Sequence, residues 1–265
     1  MASIAYHRPT SVAEAARLAK DDPDARLLAG GQSLLPAMRL GLLQPSAFID
    51  LAGLDELRGI RADGRSLSIG AAVSHAAVAE SPEIRAALPA LSVLAEGIGD
   101  AQVRNRGTIG GSLANSDPAA DYPAALLALN ATIRTEQRAI AADGFFKGLF
   151  ETELKPGELV TAIEFPIPAH AAYVKFPQPA SRFALVGVFV AQTGDSVRVA
   201  VTGASTHAFR LTALEQALGR HFAPEACSAV TVPPQGLNTD LHGSAAYRAS
   251  LIPVLARRAV QTAVG

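Results

Sequence analysis

From Thr108 to Asp121 the chain reads Thr-Ile-Gly-Gly-Ser-Leu-Ala-Asn-Ser-Asp-Pro-Ala-Ala-Asp, with almost no bulky side chain. Such a stretch adds little to a core, because burial stabilises in proportion to apolar area. It suits close backbone approach instead. Glycine has no Cβ and tolerates positive φ, so neighbouring N–H groups can line a concave anion site. Ser112, Asn115 and Asp121 add hydrogen-bonding side chains suited to a polyhydroxylated ligand. Without a ligand the same residues read as a Gly-Gly turn followed by an Asp-Pro helix start.

A second segment of the same character lies upstream. Arg26–Ala29 reads as a short apolar strand running into Gly30-Gly31-Gln32-Ser33, followed by a short helix at Leu34–Leu40. Another strand follows Pro45, at Ala47–Leu51. Strand, glycine turn, helix and strand make a βαβ-like unit, whose first turn is a phosphate-binding position. The spacing is not G-x-G-x-x-G, so no Rossmann fingerprint is present. A tight turn with no ligand is the alternative for this piece alone.

The rest of the chain supplies a scaffold. Ser11-Val12-Ala13-Glu14 is a capping box opening a helix with Val12, Ala15, Ala16 and Ala19 on one face. Asp63-Gly64 sits between Leu57–Arg61 and Leu67–Gly70 as a hairpin turn signal. Ser74 and Pro82 mark helix starts, and Leu88–Ile98 reads as a buried helix stopped at Gly97/Gly99. A helix at Ala124–Leu129 and strands at Ala131–Thr135 and Leu159–Phe165 follow the glycine segment, and Ala169–Ala171 is the candidate boundary. Beyond it come strands at Ala172–Phe176, Ala184–Thr193 and Val197–Thr202, then helices at Leu211–Leu218 and Ala245–Val264. The expected fold class is α+β. Residues 1–168 form a domain of two subdomains, about 1–55 and 56–168, and 172–265 form a small domain of a three-stranded antiparallel sheet plus helices.

Composition narrows the function. The chain has 265 residues and one cysteine, Cys227. An iron–sulfur cluster needs about four protein ligands, so this chain does not hold one. A net charge of −1 argues against a nucleic-acid partner. Met1-Ala2-Ser3-Ile4-Ala5-Tyr6-His7-Arg8-Pro9 lacks a basic start and an apolar run, and no stretch approaches the ~20 apolar residues of a membrane span. These features predict a cytoplasmic protein that does not itself enter a membrane. The histidines show no metal-ligand spacing.

The wording of the two glycine segments is more specific than their composition. Leu28-Ala29-Gly30-Gly31-Gln32-Ser33-Leu34-Leu35-Pro36 and Gln102–Ser112, continuing to Asp117-Pro118-Ala119-Ala120-Asp121, together resemble the FAD-binding medium subunit of the molybdenum hydroxylases. That family contains xanthine dehydrogenase and aerobic carbon monoxide dehydrogenase. Lys155-Pro156-Gly157-Glu158-Leu159-Val160-Thr161, Lys175-Phe176 with Pro179-Ala180-Ser181-Arg182, Ala246-Tyr247-Arg248 and Arg257-Arg258-Ala259-Val260 extend the resemblance along the whole chain.

The resemblance implies a two-subdomain FAD-binding fold of the PCMH type and a site. Ala29, Gly30, Gly31, Gln32, Ser33 and Leu34, with Thr108, Ile109, Gly110, Gly111 and Ser112, fall where the family holds the FAD diphosphate and ribityl chain. Ile98, Gly99, Asn115, Asp121, Leu159 or Val160, and Lys175 fall on flavin-contacting positions, and Phe183 where relatives place an aromatic over the ring. Lys175 there favours the reduced, anionic flavin. An ordinary surface lysine and an ordinary core phenylalanine are the alternatives. Gln32 stands where some flavoproteins have a covalently attached histidine, so non-covalent FAD is expected. Also implied are a small subunit with [2Fe-2S] clusters, a large subunit with the molybdenum cofactor, and a dimer of heterotrimers. This chain then passes electrons through FAD to an external acceptor and carries no catalytic acid or base. The competing readings are a stand-alone FAD-dependent oxidase, for which no base near the flavin can be nominated, and a non-catalytic flavin-binding assembly protein.

Overall fold

A computed structural model describes residues 4–265. Met1–Ser3, part of the N-terminal stretch read above for a leader, lie outside the described residues. The chain opens with β1 (Ala5–His7), α1 (Val12–Asp21), β2 (Arg26–Leu28), α2 (Leu34–Arg39) and β3 (Ala47–Asp50). The strands form a parallel sheet in the order β1-β3-β2. Ser11 caps α1 by accepting from Glu14 N, while the Glu14 carboxylate reaches back to Thr10 N. Val12 and Ala15 then bury against Ile49, Leu54 and Leu57.

Next come β4 (Ile60–Ala62), β5 (Ser66–Gly70) and six short helices. The helices are α3 (His75–Glu80), α4 (Pro82–Ala87), α5 (Pro89–Glu96), α6 (Ala101–Arg106), α7 (Ile109–Asn115) and α8 (Tyr122–Ala128). After them run β6 (Thr132–Thr135), β7 (Ala139–Ala141), the hairpin β8 (Phe146–Gly148) with β9 (Glu151–Thr152), and β10 (Val160–Pro166). An antiparallel sheet in the order β4-β5-β10-β6-β7 backs the helices. The turn at Asp63-Gly64 is as predicted, with Gly64 at φ +84 and Asp63 Oδ1 accepting from Arg65 N and Ser66 N. The expected Leu88–Ile98 helix is shorter at both ends: Pro89 occupies its first turn, and Gly97 caps it.

The Gly110-Gly111 pair is not a turn. It lies in the first turn of α7, capped by the Thr108 hydroxyl, which accepts from Gly111 N. Two glycines weaken a helix by about 1 kcal/mol each. Here Gly110 seats the helix on Ala71, where a Cβ would come within 2.5 Å of Ala71 Cβ. Close packing outweighs propensity, and the chain reverses later, at left-handed Ser116 (φ 48).

The last part holds β11 (His170–Pro177), β12 (Ala184–Thr193), β13 (Ser196–Thr202), β14 (Phe209–Arg210), α9 (Thr212–Arg220) and α10 (Ala245–Val264). The sheet has four strands rather than the three expected. β14 is two residues long and pairs only with Ala200 and Val201, too short to show an alternating pattern. β12 is buried on both faces, which explains its unbroken apolar run. Val186, Val188 and Val190 pack with Ile252, Leu255 and Ala256 of α10, while Phe189 and Ala191 close the core beneath α8. Among the described residues no helix is long and apolar enough to cross a membrane.

Candidate functional site

The two glycine segments meet. Gly30 lies on the end of α6, so close that a Cβ would be 2.6 Å from the Arg106 carbonyl carbon and 2.7 Å from Gly107 Cα. Gly111 faces Ala29, its added Cβ falling 3.8 Å from Ala29 Cβ. Only glycine permits the first contact, and the two segments form one surface.

Their hydrogen-bonding states differ. The N–H groups of Gly30, Gly31, Gln32, Ser33 and Leu34 find no acceptor among the described residues. Gly31 turns the chain at φ +72, while Gln32 and Ser33 are exposed. A row of free donors on a glycine turn is an anion cradle. The second segment has its N–H groups engaged within the protein. Ile109 N donates to Val73 O (3.0 Å), Gly110 N to Ala71 O (2.9 Å), Ser112 N to Thr108 O (3.0 Å) and Gly111 N to Thr108 Oγ1 (3.2 Å). It therefore contributes the half-buried Gly111 and the Ser112 hydroxyl instead of a second set of backbone donors, while Gly110 is buried against Ala71. The Ser112 and half-buried Asn115 side chains have no hydrogen-bond partner among the described residues.

A second cluster joins Ile98, Gly99, Asp121 and Lys175. The Lys175 ammonium donates to Gly97 O (2.8 Å), Asp121 Oδ2 (3.1 Å) and Arg182 O (2.8 Å), so its three protons are all placed. Asp121 also accepts from the Tyr173 hydroxyl. Burial pushes the Asp121 carboxyl above the ordinary aspartate range, opposed by the charge on Lys175 and by both hydrogen bonds. Arg104 donates to Ile98 O (3.0 Å) and Gly99 O (3.1 Å), and Arg182 to Gly99 O (3.3 Å). Three cations from separate elements thus fix the carbonyls at residues 97–99. Phe183 is half exposed beside this cluster's Arg182. Leu159 is buried with Val12 and Ile49 in the N-terminal core, and Val160 in the middle core.

Arg104 reads from the sequence as a partner-facing or solvated surface charge, and its carbonyl partners lie beyond any local pattern, as does a cleft of about 720 Å³ adjoining both glycine segments. Ala29, Ala52, Ile60, Ser74, Ala77 and Thr108 line it. Tyr173 was detectable, because it stands two residues before Lys175 on one strand and so shares its face.

A cradle of free donors, a glycine wall opposite and an adjoining cleft fit the diphosphate and one flat end of a dinucleotide. Fold and site together have the features of a nucleotide-cofactor-binding protein. Residues 2–168 match the family model described as the FAD binding domain in molybdopterin dehydrogenase. The chain is 38% identical over 275 residues to the carbon monoxide dehydrogenase medium chain of Hydrogenophaga pseudoflava, spanning 97% of this chain and 96% of that one. It is 36% identical over 272 residues to the nicotine 6-hydroxylase medium subunit of Paenarthrobacter nicotinovorans, with the same coverage. Among solved structures it superposes on quinoline 2-oxidoreductase from Pseudomonas putida 86 with a TM-score of 0.88 at 32% identity, covering 99% of this chain and 97% of that one. Reconstituted CO dehydrogenase from Oligotropha carboxidovorans gives 0.89 at 33% identity, covering 99% and 98%. The chain belongs to the FAD-binding medium subunits of the molybdenum hydroxylases, and FAD is its cofactor.

Proposed function

We propose that this chain takes electrons from the [2Fe-2S] clusters of a small partner subunit and passes them through FAD to an external acceptor. Substrate is oxidised at the molybdenum cofactor of a large subunit, and the assembly is a dimer of heterotrimers in the cytoplasm. The observation that carries the FAD site is the row of N–H groups from Gly30 to Leu34 without an acceptor among the described residues, beside Gly111 of α7. End-to-end identity with chains named as medium subunits favours a subunit over a stand-alone oxidase.

FAD supplies the electron-carrying ring; the protein binds and orients it. Gly30–Leu34 would hold the diphosphate, with Ala29 and the Thr108–Ser112 segment lining the same site. Ser112 and Asn115 offer side-chain hydrogen bonds to the hydroxylated chain, and the cleft beside Ala29 and Ser74 takes the adenosine half. Ile98, Gly99, Asp121 and Lys175 are the residues that would meet the flavin ring, whereas Leu159 and Val160 are buried in the N-terminal and middle cores and would offer the ring no side chain. Lys175 brings positive charge to that end. Gln32 leaves the cofactor dissociable, because its amide is not a nucleophile. In this arrangement residues 1–168 hold the cofactor, and residues 172–265 add Lys175 and the sheet behind it.

The test is an absorbance spectrum of the purified chain, and of the chain co-expressed with its partner subunits, before and after FAD addition and desalting. Flavin bands near stoichiometric occupancy, released by acid, are expected from the assembly. An assembly that never retains flavin refutes the proposal.

A further inference from the structure

β11 places Tyr173 and Lys175 on one face of the sheet, and both reach the carboxylate of Asp121 just before α8. The phenol donates to Oδ1, and the ammonium lies 3.1 Å from Oδ2. All three side chains are shielded: Asp121 is 4% exposed, Tyr173 8%, and the Lys175 side chain 11%. The arrangement is sculpted into the sheet. Opposite Lys175 on β12 stands Gly187, where a Cβ would collide with the Tyr173 hydroxyl. A glycine in the middle of a buried strand weakens it unless something must approach closely, and here the phenol does. The Tyr173 ring is fixed by stacking on Phe189, with centroids 6.0 Å apart and planes at 28°.

We infer that Tyr173 is a positioning residue: its hydroxyl holds the Asp121 carboxylate charged and aimed at Lys175, and so sets the positive charge that Lys175 presents to the flavin ring. The inference rests on the proposal that the ring lies against Lys175. A carboxylate closed off from water is stable only while donors surround it. Among the described residues two side chains donate to Asp121, those of Tyr173 and Lys175. Without the phenol, Lys175 alone faces the carboxylate and burial favours the neutral acid. The ammonium then loses its counter-charge, and the site becomes more positive where electrons arrive. Tyr122, adjacent in the chain, is the other titratable group that senses Asp121, while Arg104 and Arg182 direct their guanidinium groups at Gly99 O nearby.

The test measures the flavin midpoint potential by dye-coupled reductive titration of the FAD-loaded assembly, with FAD content and melting temperature recorded for each variant. Tyr173→Phe keeps the ring and removes the donor, and is expected to shift the potential positive, in the direction given by Asp121→Asn. Added to Asp121→Asn, it should shift nothing further. Lys175→Gln should shift the potential negative. A purely structural tyrosine would change melting temperature and leave the potential alone. Tyr173→Phe at the wild-type potential, alongside a shifted Asp121→Asn, overturns the inference and spares the site assignment. Unshifted Lys175→Gln with full FAD overturns the ring placement, and the inference with it. Should Tyr173→Phe lose its FAD, 3,5-difluorotyrosine at position 173 keeps the hydroxyl and makes it a stronger donor. Its potential should move negative, and an unmoved value again refutes the role.

Discussion

Gly30→Ala tests whether the site depends on the contact between the two glycine segments. The new Cβ would lie 2.6 Å from the Arg106 carbonyl carbon and 2.7 Å from Gly107 Cα. Both are backbone atoms, so no side-chain rotation relieves the overlap. The Arg106 carbonyl oxygen lies closer still to that Cβ; since ordinary contact begins at 3.4 Å, clearing the carbonyl carbon alone takes about 0.8 Å and clearing the oxygen takes more. Overpacking of this kind costs about 1–3 kcal/mol, and the upper end applies where backbone must move. A loss of about 3 kcal/mol lowers the melting temperature by roughly 6–12 °C in a chain of this length. The same displacement carries an N–H···O contact from about 2.9 Å beyond hydrogen-bonding range. One lost hydrogen bond to a charged group costs about 1.5–3 kcal/mol, which is roughly 10- to 150-fold in FAD affinity. Differential scanning calorimetry of the FAD-free chain and a flavin fluorescence titration measure the two effects separately. If Gly30→Ala melts and binds FAD like the parent, the segments do not touch as described, and the cradle argument fails.

Two pH effects follow from buried groups. His75 packs against Tyr122 with its Nδ1 unpartnered among the described residues, and burial pushes its pKa from 6.5 down to about 4. The unfolded chain binds a proton in this window that the folded protein refuses, so stability is full above pH 6.5 and falls as pH drops toward 4, by up to about 3 kcal/mol. Urea unfolding of His75→Leu at several pH values should show a flatter profile between those limits. Glu158 is held near a pKa of about 2, chiefly by Arg138 and further by Lys155 N and Thr135. Its contribution is present above the unfolded value near 4.5 and is lost as pH falls toward 2. Glu158→Gln should cost about 2 kcal/mol at pH 7, with the gap from wild type closing in acid, as measured by denaturant midpoint.

The two glycine segments stood out in the sequence because each is a run of small residues offering few apolar atoms to a core. The capping box at Ser11–Glu14 and the turn at Asp63-Gly64 were legible because their partners lie within a few residues. What was hidden depends on distant neighbours. Gly110-Gly111 reads as a turn until Ala71 is known to sit beneath it, and β14 exists only because Ala200 and Val201 offer an edge. The closed hydrogen bonds of residues 109–112 follow from that docking, since two of their acceptors are Val73 and Ala71. Asp121 looked like a ligand-binding carboxylate, and no local pattern revealed that Tyr173 and Lys175 would occupy both of its oxygens.

Phe189 and Ala191 of β12 help to close the core that includes Leu126 of α8 and Phe165 of β10. This has a consequence for synthesis. A nascent chain that has reached Pro168 contains both glycine segments but leaves that core open on one side. Lys175, β12 and the partner strand β13 must still emerge before the wall behind Asp121 is built. A chain stalled in the loop between β11 and β12 therefore presents an uncovered apolar face where Phe189 and Ala191 would pack.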